Sequence, residues 1–176
     1  MKDQEPIVWV AIKTRQDFRA AEYLREECEE VFFPTRKVQS PSKLSRERAV
    51  IPHVLFVRSR LSRLLELESK GRRHPESGVS FWLYRYPREN RVQEISDREI
   101  ALLRLLTTED TNGCEIYHNT DFKSNEQVRI TGGLYAGYTG HVVRVRKNKH
   151  VVVRIEGICL VMLPYLHPDL LEKIDS

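Results

Sequence analysis

The chain has 176 residues, 40% hydrophobic and 31% charged, which is enough for one ordinary core or two small ones. No run approaches the ~20 apolar residues that a membrane span needs. The amino end "MKDQEPIVWV" lacks the charged-then-apolar order of a signal peptide, so the expectation is a cytoplasmic protein without a membrane partner. Three cysteines, Cys28, Cys114 and Cys159, are odd in number and far apart, and offer neither a disulfide framework nor a paired metal-ligand spacing. The six histidines are scattered and no Ser or Cys sits in a nucleophile motif, so no enzyme, metal or cofactor is expected. The net charge of +4 is unevenly spread: from Arg36 to Arg73 eleven basic residues face three glutamates, a local +8. An acidic partner therefore has one address.

In chain order, "IVWVAIK" (7–13) is β-branched and aromatic enough for a strand. Asp17 is a candidate N-cap for a helix over 18–29, whose apolar stripe is Phe18, Ala21, Leu24 and Cys28. "VFFPTRKV" reads as an edge strand interrupted by Pro34, "QSPSKLSRER" as a hairpin or loop, and "AVIPHVLFV" as a strand buried on both faces near its end. "LSRLLELESK" supplies a second helix, "GRRHPESG" a loop and "VSFWLYRY" a further strand. Ser96 and Glu99 have capping-box spacing ahead of a third helix carrying Ile100, Leu103 and Leu106. This order predicts an α+β domain over 6–106, an antiparallel sheet flanked by helices. "TTEDTNGCEIYHNTDFKS" (107–124) shows no sustained period and reads as a linker. Residues 125–176 read as strands and turns, with a helical period only at "PDLLEKI", and so small an all-β module predicts a tightly curved barrel. The run Val151-Val152-Val153 argues that this module stays β.

Gly132, Gly133, Gly137 and Gly140 lie between Val128-x-Ile130 and Val142-Val143-x-Val145, which is strand, glycine-permitted turn, strand. No Gly-Lys-Ser/Thr follows and no helix begins there, so a phosphate-cradling loop does not fit. The stretch "NEQVRITGGLYAGYTGHVVRV" resembles the KOW motif of NusG-type proteins, and "HVVVRIEGICLVMLPYLHPDLLEKI" continues the likeness. The amino-terminal part is similar to the NusG amino-terminal (NGN) domain through "WVAIKTRQDFRAAEYLREE", "PTRKV", "IPHVLFV", "GVSFWLYRY" and "EISDREIALLRLL", in the family's order.

What the resemblance implies is a transcription elongation and antitermination factor. Its NGN domain would bind the clamp helices of RNA polymerase, and its SH3-like KOW barrel would recruit a second partner such as a ribosomal protein or a termination factor. The basic character is similar to that of specialised paralogues of the RfaH or UpxY type. By family position, Ile51, Val54 and Trp82 would form the polymerase-binding patch, although "IPHV" stands where a Gly or Asn and a Tyr are usual and Lys13 where some members carry an aromatic. Tyr135 and Tyr138 fall on the turn that meets the barrel's partner, with Glu156 at a loop position that is aromatic in housekeeping members. Arg46, Arg48, Arg72 and Arg73, read as loop residues, would face upstream or non-template DNA. An alternative of another class is an RNA-binding or ribosome-associated KOW protein, in which arginines and tyrosines of the barrel touch RNA. A charge of only +2 over 125–176 is thin for that role.

Overall fold

The computed structural model describes residues 4–39, 41, 45–105, 114–117 and 126–174, and the chain divides into two compact units, 1–107 and 108–176. In the first unit β1 (Ile7–Lys13) is central. It pairs antiparallel along its whole length with β5 (Val54–Arg60), and on its other side with the short β6 (Trp82–Leu83) and β7 (Glu94–Ile95). β2 (Glu30–Phe32) flanks β5, giving the order β2-β5-β1-β6 with β7 also on β1. Three helices, α1 (Asp17–Glu27), α2 (Leu61–Arg73) and α3 (Asp97–Leu105), accompany this sheet. A separate two-stranded ribbon joins β3 (Thr35–Gln39) to β4 (Ser45–Ala49).

Four consecutive residues of β1, Trp9 to Ile12, are buried, so the strand is covered on both faces. Val10 and Ile12, opposite Val57 and Leu55, pack with Ala20, Ala21 and Leu24 of α1 and Leu64 and Leu67 of α2. Trp9, Ala11 and Phe56 turn to the other face by the two-residue period of a strand. There the Arg104 guanidinium of α3 lies 5.7 Å from the centre of the Trp9 ring and 4.7 Å from that of Phe32. The capping box forms as read: the Glu99 amide donates to Ser96 Oγ at 3.1 Å and the Ser96 amide to Glu99 Oε1 at 3.1 Å.

Several expectations shift. Asp17 is the first residue of α1, not its cap, because its carboxylate is engaged by His53. Phe18 is 51% exposed, packed edge-on against Phe33 at 5.0 Å instead of under the helix. Pro34, which has no amide to donate, splits "VFFPTRKV" into β2 and β3. α2 continues through Arg73 into the segment read as a loop; Gly71, a turn signal in sequence, lets the helix lie against the backbone of Val79.

The second unit is an antiparallel sheet in the order β13-β9-β10-β11-β12-β8. Its strands are β8 (Glu115–Tyr117), β9 (Gln127–Ile130), β10 (Thr139–Val145), β11 (Asn148–Ile155), β12 (Cys159–Met162) and β13 (Leu171–Ile174). The Val151 to Val153 run lies inside β11. Among the described residues β8 and β13 end the path, so the pairings do not close into a ring, and the expected barrel is present as an antiparallel sheet. β8 falls within the segment read as a linker, where three residues are too few to show a period; it pairs with β12. The rest of that segment, and Leu106, lie outside the described residues. "PDLLEKI" is not helical beyond one 3-10 turn, Pro168–Leu170, because pairing of β13 with β9 overrides the helical spacing.

Candidate functional site

At one end of the first sheet, Trp82, Lys13 and Val54 stand in one row across β6, β1 and β5. Directly opposed residues of antiparallel strands share a face, so the three side chains are neighbours. Trp82 is 44% exposed and Lys13 is exposed, whereas Val54 is buried. Ile51 is completely buried and presents nothing to a partner, which corrects its reading as a contact residue. The end is held by polar ties. The Thr14 amide donates to the His53 carbonyl at 3.0 Å and Thr14 Oγ1 to the Ser80 carbonyl at 3.1 Å, joining the segments that precede β5 and β6. The His53 amide donates to Asp17 Oδ2 at 2.9 Å, and its ring Nδ1 lies 3.0 Å from Oδ1. His53 has φ 66, the left-handed conformation that favours glycine or asparagine, and the Asp17 contacts offset that strain.

Arg46 and Arg48 are on β4 of the ribbon, not in a loop. The register places Arg36 opposite Arg48 and Val38 opposite Arg46, so one face of the ribbon carries three arginines. The other face carries Lys37 opposite Glu47. Like charges directly opposed cost stability in a ladder, and an anion laid along that face would relieve the cost. Arg72 and Arg73 belong to the last turn of α2, where positive charge also complements the helix dipole, and Arg72 lies 3.7 Å from Glu68.

In the second unit the turn after β9 is drawn tight: Gly137 N donates to the Ile130 carbonyl at 2.7 Å, with Gly133 and Gly137 at φ 79 and 89. Tyr135 is buried beneath it, its hydroxyl 3.2 Å from Cys114 Sγ, and burial first and that contact second push its phenol well above the ordinary range. Tyr135 is therefore a packing residue, contrary to its reading as a partner contact. Tyr138 is half-buried and Glu156 exposed, at the same end of the sheet because successive hairpins of a meander alternate ends. The apolar side chain that the turn presents is Leu134, 62% exposed.

Comparison with known proteins gives a fold-level likeness of low score. No protein-family model matches the chain, and no curated protein matches it. Two solved structures are similar to it, conformations B and A of the MjSpt4:Spt5 complex. The identities are 16% and 18%, over 97% of this chain and 98% and 99% of those chains, with TM-scores of 0.28 and 0.27. Neither match speaks for the specialised RfaH or UpxY type, and the reading below rests on the chain's own residues.

Among the described residues no three His, Cys, Asp or Glu gather as metal ligands, and no helix is long and apolar enough to cross a membrane. Burial raises the Cys28 thiol to about 11, which leaves little thiolate at neutral pH. Sequence reasoning missed the exposure of Phe18, Leu134 and Tyr165, and of Ile7, Val38 and Leu65. For Leu134 the signal was available: of two adjacent apolar residues in a tight turn, only one can point inward.

Proposed function

We propose that the chain is a NusG-like transcription elongation and antitermination factor, specialised as RfaH and UpxY proteins are. Its NGN-like unit binds the RNA polymerase clamp helices, and its KOW-like unit recruits a second partner. The mechanism is binding without catalysis, in the cytoplasm. The observation that carries the reading is the row of Trp82, Lys13 and Val54: an indole nearly half exposed at the end of a sheet whose central strand is buried from Trp9 to Ile12. Covering the exposed 44% of an indole removes roughly 100 Å² of apolar surface, about 2–3 kcal/mol at ~25 cal/mol per Å². The arginine face of the ribbon supports contact with upstream or non-template DNA, where phosphates would lie along Arg36, Arg46 and Arg48. Burial of Tyr135 withdraws one aromatic that an RNA-binding KOW unit would use, and this weighs against the RNA reading.

The test is capture of core RNA polymerase by the full chain, compared with Trp82→Ala. Trp82→Ala should weaken capture by about thirtyfold or more while leaving the fold intact. Val54→Asp is unsuitable, because it would bury an unpaired charge. Equal capture by the folded Trp82→Ala variant, or none by the wild type, would remove the reading.

A further inference from the structure

A groove of about 210 Å³ opens on the second unit, walled by Val128, Val142, Val151, Leu166 and Leu171. It runs from Lys149, near the β10–β11 turn, to Leu171, which pairs with Ile130 at the end of β9. The segment 163–170 forms one wall and is pinned by two bonds to β11: the Leu163 amide donates to the Val151 carbonyl at 2.9 Å, and His150 Nδ1 lies 3.1 Å from the Leu163 carbonyl. Tyr165, 56% exposed, stands at the rim with Lys149 and Lys173. The charge around the groove is lopsided. Arg144 and Lys149 face each other directly across β10 and β11, with Arg146 and Lys147 at the turn beyond. Among the described residues Glu126, 3.9 Å from Lys173, is the one carboxylate in the lining.

We infer that this groove takes an acidic peptide segment of a partner protein, seating one aliphatic or aromatic side chain among the valines and leucines with flanking carboxylates on Lys149, Lys173 and Arg144. Apart from Tyr165 at the rim the walls are aliphatic, which suits a side chain, whereas a nucleobase is held between flat aromatic faces and by hydrogen bonds to its edges. Directly opposed cations fit an occupant that brings negative charge. Neither Tyr138 nor Glu156 lines the groove, and it owes nothing to polymerase docking, so either reading can fail while the other stands.

The test titrates the isotopically labelled full chain with a short synthetic peptide holding one central leucine among glutamates, followed by fluorescence anisotropy and amide chemical shifts. The comparisons are the leucine-to-alanine peptide, a peptide with lysines for the glutamates, and oligouridine. Saturable binding is expected, with shifts at Val142, Val151 and Leu171. It should be weakened about fivefold by Tyr165→Ala and about tenfold or more by Lys149→Glu with Lys173→Glu, all exposed positions at which the fold should persist. The basic peptide should not bind, and the alanine peptide should bind about tenfold more weakly. The inference is overturned by absence of binding at millimolar peptide, by shifts confined to residues outside the groove, by indifference to the charge reversals, or by oligouridine occupying the groove in preference to the peptide.

Discussion

Replacing Gly71 by alanine sets two effects of opposite sign against each other. In an exposed helix interior the change would stabilise by about 1 kcal/mol through helix propensity. Here a Cβ on Gly71 would stand 2.0 Å from the Val79 carbonyl oxygen and 2.9 Å from its carbon. Both are backbone atoms that no rotamer change can move, so α2 must retreat from Val79 by roughly 1 Å to reach van der Waals contact. That retreat loosens Leu64 and Leu67 against β1 and β5. It also stretches the 2.6 Å bond from the Leu83 amide to Glu68, one turn earlier on the same helix. Overpacking of this kind costs about 1–3 kcal/mol, and weakening a buried charged hydrogen bond adds about 1–2. The expected net for Gly71→Ala is a loss of about 2–3 kcal/mol. Both tryptophans, Trp9 and Trp82, lie in the first unit, so indole fluorescence during urea unfolding reports that unit alone. The urea midpoint should fall by about 1–2 M. A midpoint unchanged or raised would show that α2 does not rest on the Val79 backbone, and would refute the packing argument.

Glu68 is 2% exposed; desolvation pushes its carboxyl up, but the Arg85 fork at 2.9 and 3.2 Å, the Leu83 amide and the Arg72 charge outweigh it and hold it below the usual range. A depressed folded value means that its stabilisation is present above the unfolded value and lost as pH falls through the folded one, so the first unit should weaken below about pH 4, and Glu68→Gln should flatten that part of the fluorescence midpoint-versus-pH curve; an unchanged curve would place acid sensitivity elsewhere. Gly140→Ala puts a Cβ 2.5 Å from the Val152 carbonyl oxygen, and should collapse the amide dispersion of the second unit while the tryptophan signal of the first holds. Trp82→Ala should move the urea midpoint by less than about 0.5 M, because the side chain lies at the end of the sheet and is nearly half exposed; a larger fall would make it a core residue.

How much of this was legible in the sequence depended on whether the signal was local. The Ser96–Glu99 cap and β1 are read from neighbouring residues, and they stand in the structure. The elements misread were decided by distant partners. Asp17 has the chemistry of a cap, but His53, 36 residues away, takes its carboxylate. Gly71 reads as a turn because the backbone that requires it, at Val79, lies beyond the end of the helix. β8 and β13, of three and four residues, exist through pairing with β12 and β9. For the site, residue type was legible and exposure was not. Trp82 and Val54 fall in one row, yet which of them reaches solvent follows from β6 being a two-residue strand at the edge of its sheet.

The two units carry one device in common. In the ribbon Arg36 opposes Arg48, and in the second sheet Arg144 opposes Lys149. An exposed cross-strand pair of opposite charge stabilises by a few tenths of a kcal/mol up to about 1, and a pair of like charge costs a similar amount. A sequence shaped by fold stability alone would place Glu at one member of each pair, as the ribbon does on its other face with Lys37 and Glu47. Both like-charged pairs lie on surfaces that the core does not cover. On the proposed function phosphate would lie along the narrow ribbon, and on the further inference carboxylates would lie beside an apolar groove that can seat a side chain. The same rule of charge therefore leads to different partners, and what separates them is the shape and polarity of the surface beside each pair.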